Sequence, residues 1–201
     1  MIIGALLILS SFTQKVISNS AELGQQTKCL ISLKIVGDAF ELYWTDHNGD
    51  LPHEDFGSTK PPYEMCWYHL LDPYISVNPK YTAKQDPSYL ELHNNDSTQA
   101  GFSYKMNSRL EDYQGSKSSP SPSIRNINTV LRPRPTVLLF DGRVDKNPYI
   151  RRSYGMHTSV ENRHDGKSSM LFLDNHVELI SGPENELFWT NEGDYTWDPD
   201  K

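Results

Sequence analysis

Between Met1 and Leu51 the chain contains no proline. From Leu30 onward the apolar positions recur at Leu33, Val36, Gly37, Phe40, Tyr43 and Trp44. Steps of three and four place them on one face of a helix. With no breaker upstream, the spacing predicts a single helix from Ile2 to about Trp44. At ~1.5 Å per residue such a helix is about 65 Å long, more than a small domain is wide. One end must therefore leave the globule. The segment MIIGALLILSSF is apolar and uncharged, so that end needs a non-aqueous home. It is shorter than the ~20 residues of a bilayer span, and no basic residue precedes it as in a signal peptide. It reads as part of a membrane helix, with a short buried helix as the alternative. The expected division is an apolar helix half over residues 1–26 and a globular head over residues 27–201.

DHNGDLP should end the helix, because Asn48 and Gly49 favour a left-handed conformation and Pro52 cannot continue it. Asp46, Asn48 and Asp50 alternate like the start of a calcium loop. The EF-hand glycine and glutamate positions hold Leu51 and Gly57, which excludes that motif. Tyr63 to Ile75 is expected to form a short helix ended at Asp72-Pro73. Residues 76–98 read as loop. GFSYKMN (101–107) and PTVLLFDG (135–142) read as strands, and GSKSSPSPS (115–123) as low-complexity loop. Strands do not alternate regularly with helices. The expected class is α+β, a long N-terminal helix packed on an antiparallel sheet, with long loops and a C-terminal hairpin.

That hairpin is RHDGKSSMLFLDNHVELI, residues 163–180. A two-residue turn at Asp174-Asn175 pairs Phe172 with Val177 and Met170 with Leu179 on a wholly apolar core face. Leu173, Leu171, His176 and Glu178 fall on the other face. Strand length separates His164 from Asp174 by roughly 20 Å. A site joining His157, His164, Asp174 and His176 is therefore disfavoured, and no GxSxG, HExxH or CxxC motif supports a hydrolase. The expected role of His164 is a side-chain hydrogen bond fixing the loop before the hairpin. Asp174 is expected to hold the turn through an Asx-type bond.

The balance of 19 basic against 26 acidic residues, with no basic block, excludes a nucleic-acid partner. Cys29 and Cys66 are the only cysteines and stand outside any CxxC pair. They form either a bridge or two buried thiols.

Taken together, these segments resemble prepilin-type proteins of the H-x9-DG class. RHDGKSSMLFLDNHVE matches that family's closing segment through His164, nine residues and Asp174, with Asn175 where glycine is usual. His176 matches as well. QQTKCLISLKIVGDAFELYWTDHNGDLP is similar to the family's helix-and-turn pattern at Cys29, Leu33, Lys34, Gly37, Tyr43, Gly49, Leu51 and Pro52. FSYKMN and RPTVLLFD resemble its strands, and MIIGALLILSS looks like the interior of its membrane helix. The resemblance implies a type IV pilin-like or type II secretion pseudopilin-like fold. It implies a non-enzymatic subunit, anchored in the inner membrane of a bacterium and extracytoplasmic. Its partners would be other pilin-like subunits or secretion machinery. It carries no cofactor requirement, though related pseudopilins suggest Glu192, Asp194, Asp198 and Asp200 as calcium ligands. An extracytoplasmic setting favours a Cys29–Cys66 bridge. A second reading from the residues is a carbohydrate- or peptide-binding module using exposed tryptophans such as Trp67, Trp189 and Trp197, together with tyrosines.

Overall fold

The computed structural model of the protein describes residues 2–54, 66–76, 83–92, 102–112, 123–144, 153–182, 189 and 194–200. Within them the chain is α+β. Helix α1 runs without interruption over Ile2–Asp46, 45 residues, or about 67 Å. It changes character along its length. No side chain is buried over residues 19–28, whereas Cys29, Leu33, Val36, Ala39, Phe40 and Tyr43 are buried. Among the described residues no helix is long and apolar enough to cross a membrane.

The helix stops as its sequence requires. Asn48 and Gly49 adopt positive φ, 57° and 91°, and the Gly49 amide donates to the Trp44 carbonyl at 2.6 Å. This left-handed ending satisfies carbonyls that the last turn leaves open. The turn then docks on another segment. Leu51 N donates to Arg125 O, Ile127 N to Gly49 O, and Asn126 Nδ2 to both Asn48 O and Asp50 Oδ1. Asp50 is thus bonded within this junction.

The head is a five-stranded mixed sheet in the order β5-β1-β4-β6-β7. The strands are β1 (Tyr104–Asn107), β4 (Val137–Asp141), β5 (Tyr154–Gly155), β6 (Lys167–Phe172) and β7 (Val177–Ser181). Two further strands, β2 (Glu111–Asp112) and β3 (Ser123–Ile124), pair separately. The expectation of an antiparallel sheet holds for four strands and fails at one edge. β5 follows β4 but lies on the far side of β1, so it runs parallel to β1. Its two residues are too few to carry a periodic signal.

Both faces of the sheet are covered. Leu33, Val36, Phe40 and Tyr43 of α1 pack with Leu139, Leu171 and Leu173, and with Trp67. On the opposite face Phe140, Met170 and Phe172 meet Trp189 and Trp197. β4 is buried at all five positions, which explains its unbroken apolar run. A bulge between Val137 and Leu139 turns Leu138 and Leu139 both toward the helix side. The tail closes the second layer, since Val137 N donates to Thr196 O at 3.0 Å and Thr196 N to Pro135 O at 2.7 Å. Trp67, Trp189 and Trp197 are therefore core residues and present no surface platform.

Two expected loops or helices differ. The Tyr63–Ile75 helix is reduced, among described residues, to α2 (Trp67–Leu70) and a 3-10 turn at Asp72–Tyr74 that begins where the helix was to end. The loop over residues 76–98 contains a short helix, α3 (Pro87–Leu92). Asp86 caps α3, accepting from Ser88 N at 2.7 Å, and Pro87 takes the first position, where its missing N–H is harmless. The low-complexity segment 115–122 lies outside the described residues.

The C-terminal hairpin forms, but one residue out of the expected register. Leu171 pairs with Val177 and Met170 with Glu178. Asn175 N donates to Phe172 O at 2.9 Å, and Phe172 N to His176 O at 3.0 Å. The loop has three residues and centres on Asp174. Only Asn175 has positive φ, 66°, the pattern of a type I turn followed by one left-handed residue. A two-residue primed turn needs positive φ at both central positions, and Asp174 does not supply it. The shift moves Val177 to the helix side and Ile180 to the opposite face.

Candidate functional site

A second turn in the same stretch places the most unusual group in the molecule. Asp165 and Gly166 both have positive φ, 51° and 79°. His164 and Lys167 exchange both backbone hydrogen bonds at 3.1 Å. This is a two-residue primed turn on an Asp-Gly pair, the strongest short hairpin signal a sequence carries. It seats His164 at the opposite end of β6 from Asp174.

There His164 is fully buried beside four residues from three other segments of the chain. Cys29 comes from the middle of α1, Asp86 from the cap of α3, Asp141 from the end of β4 and Glu22 from the exposed part of α1. The His164 Nε2 atom lies 3.6 Å from Asp141 Oδ2 and 3.8 Å from Asp86 Oδ2, and Nδ1 lies 3.7 Å from Glu22 Oε1. Neither ring nitrogen has a hydrogen-bond partner. The expectation of a loop-fixing side-chain bond from His164 is therefore corrected. The backbone holds the loop, and the ring faces a carboxylate cluster.

Around it the other polar groups are tied. Cys29 Sγ donates to Asp86 Oδ1 at 3.0 Å. Arg163 donates to Asp86 Oδ2 at 3.0 Å, to Ser103 O at 3.1 Å, to Glu161 Oε2 at 2.7 Å and to Gly142 O. Asp141 Oδ2 accepts from Ser169 N at 2.6 Å, while its Oδ1 has no hydrogen-bond partner. Ser103 Oγ accepts from Asp86 N and donates to Gln85 Oε1.

The electrostatics follow from burial and these partners. Burial works against the Asp86 charge, but the Arg163 guanidinium, the Cys29 thiol and His164 outweigh it and hold this carboxyl below the usual range. Burial, then the neighbouring Asp86 charge, pushes Asp141 well above it. Burial and Asp86 also raise the Cys29 thiol far above its ordinary value. Cys29 is thus held as a thiol and is no activated nucleophile. The cluster is sealed from solvent, so its chemistry is the binding of something small or the fixing of four chain segments in place.

The remaining predicted residues lie elsewhere. Cys29 and Cys66 are both buried and neither is in a disulfide, so the expected bridge is not formed. Trp67, next to Cys66, stacks on Phe40 with centroids 6.0 Å apart. Phe40 is eleven residues beyond Cys29 along α1, about 16 Å. Asp174 Oδ1 accepts from His176 N at 3.3 Å and also contacts the His176 ring. Asn175 touches α1. His157 sits in a 3-10 turn near Trp197. None of these joins His164.

The acidic tail does not converge on one point. Asp200 pairs with Arg125 at 2.7 Å, Asp198 Oδ1 accepts from Asp200 N, and Asp194 lines a separate cavity. Glu192 lies outside the described residues. That cavity, about 550 Å³, is bounded by Arg132, Arg134, Phe172, His176, Glu178 and Tyr195 as well. Its mixed charge selects no ligand class. Asp86 has no place in the sequence reading and Arg163 enters it only as the first residue of the hairpin stretch; the cap signature Asp86-Pro87-Ser88 is the signal that marks the first of them.

The chain matches no family model, no curated protein and no solved structure.

Proposed function

We propose that the chain is a non-enzymatic, pilin-like structural subunit, anchored through the first part of α1 and acting outside the cytoplasm in a cell-surface or secretion assembly. The observation that carries this reading is the division of α1. Its later part is locked into the head, while over residues 19–28 no side chain is buried and Glu22, half-buried, reaches the head at His164. Leu23, Ile31 and Leu42 are 64%, 55% and 53% exposed. At about 100° per residue they fall within an arc of roughly 100° on the helix. Such a stripe suits packing against the helix of another subunit, and the sealed polar cluster suits a scaffold better than a catalyst.

The test compares the full chain with one lacking residues 1–26 by sedimentation in mild detergent and in buffer. The reading expects a folded, monomeric truncated head and a full chain that associates. It further expects a Leu23→Glu/Ile31→Glu variant of the full chain to lose most cross-linkable association with unchanged far-UV circular dichroism. A truncated head that still associates as the full chain does would overturn it.

A further inference from the structure

We propose that Cys29, Asp86 and His164 form a buried three-donor binding site for a divalent transition cation of the zinc class, with Asp141 beside it. Cys29 Sγ, an Asp86 oxygen and a His164 nitrogen lie within 4.8 Å of one another. All three residues are fully buried. They come from α1, the cap of α3 and the turn before β6, so the site exists only in the folded chain.

The second observation is the state of the imidazole. A buried polar atom left unpaired loses its water without replacement, at about 1–3 kcal/mol. His164 carries two such nitrogens, and Asp141 Oδ1 is a third orphan in the same place. The gaps from Nε2 to Asp86 and Asp141, 3.8 and 3.6 Å, are too long for hydrogen bonds. They are close to the edge of a coordination tetrahedron. Zinc–nitrogen and zinc–oxygen bonds of about 2.0–2.1 Å give edges of roughly 3.3–3.4 Å. A small inward movement of three donors already in place fills three of the four positions and leaves one open.

Donor type and charge point to the same ion. A thiol, an imidazole and a carboxylate select zinc-like cations over calcium or magnesium, which take oxygen alone. A thiolate and the Asp86 carboxylate are balanced by one dication, and Arg163 is balanced by Glu161, so the site closes neutral. Binding replaces the Cys29 S–H bond with a sulfur–metal bond, and the proton leaves to solvent. Asp86 is oriented by Ser88 N and Arg163. Glu22 faces His164 Nδ1, the position from which an outer carboxylate orients a metal-bound imidazole.

The experiment uses the full chain folded with zinc(II), then dialysed and analysed for metal, and a parallel sample folded with cobalt(II). The expected results are one ion per chain, a higher Tm than after chelation, and a thiolate-to-cobalt charge-transfer band. Cys29→Ser abolishes the band, whereas Cys66→Ser keeps it and so controls for folding. The wild-type spectrum stands whether or not Cys29→Ser folds. Substoichiometric zinc with no change in Tm on chelation overturns the proposal, as does cobalt bound without a thiolate band.

Discussion

Asn175 is the residue on which helix and hairpin meet. Its Nδ2 donates to Asp38 Oδ1 at 2.9 Å and to Glu41 Oε2 at 2.7 Å, and Lys34 Nζ donates to its carbonyl at 3.1 Å. Opposite it stands Gly37, where a Cβ would come within 2.2 Å of Asn175 Oδ1 and 2.8 Å of Leu171 Cδ1. Gly37→Ala gains about 1 kcal/mol of helix propensity, yet overpacking of about 1–3 kcal/mol opposes it. Net destabilisation is expected in urea unfolding. Asn175→Ala loses the hydrogen bonds to two carboxylates and forces alanine to positive φ, together about 2–3 kcal/mol. Asn175→Gly keeps the backbone easy and should cost less than the alanine variant. Equal loss from the two would show that the turn conformation is not what matters.

The same joint gives an acid response. Burial would raise the Asp38 carboxyl, but the hydrogen bond from Asn175 and the Lys34 partner lower it from its ordinary 3.8. A lowered folded value means that its contribution is present above the unfolded pKa and is lost as pH falls through the folded one. Stability measured below about pH 4 should therefore fall less steeply in Asp38→Asn than in the parent chain. The residue identities at this joint were readable, because Gly37 and Asn175 were both singled out. The joint itself was not, since Asn175 and its partner Asp38, 137 residues apart, leave no local pattern.

Among the elements, the turns separate space from backbone strain. Gly49 has φ +91° and a Cβ there meets Asn128 Nδ2 at 2.4 Å and Asn126 Oδ1 at 2.6 Å, while Gly166 has φ +79° and nothing within 4 Å. Gly166→Ala should cost about 1 kcal/mol from strain alone. Gly49→Ala should cost about twice that, with a lower Tm, because it also pushes the α1 terminus off Asn126. The helix and its stop were legible from apolar spacing and Asn48-Gly49. The strands β1, β4, β6 and β7 were legible from their composition. The hairpin register was not, because Asp-Asn fits both a two-residue primed turn and a three-residue turn, and only the pairing decides. Asp165-Gly166 is the plainer turn signal, with positive φ at both residues.

Across the whole molecule, three segments distant in sequence converge on His164: α1 through Glu22 and Cys29, the α3 cap through Asp86 and the end of β4 through Asp141. Cys29, Glu22, Asp86 and Asp141 carry no mutual spacing that sequence alone could read, and the cluster became visible only when the sheet and helix were set together. Cys29 matched a known pattern, and the bridge it suggested gave way to a thiol bonded to Asp86 because Cys66 belongs with Trp67 further along α1. The helix thus supports the head through buried side chains from Cys29 onward, while over residues 19–28 none of its side chains is buried. Native-state hydrogen exchange of the full chain in detergent tests that division. Amides of residues 29–43 should be protected to the level of global unfolding, together with β4 and β6. Those of residues 19–28 should exchange at least tenfold faster, by fraying that leaves the head intact. Uniform protection along α1, or rapid exchange at residues 29–43 while β4 and β6 stay protected, would contradict it.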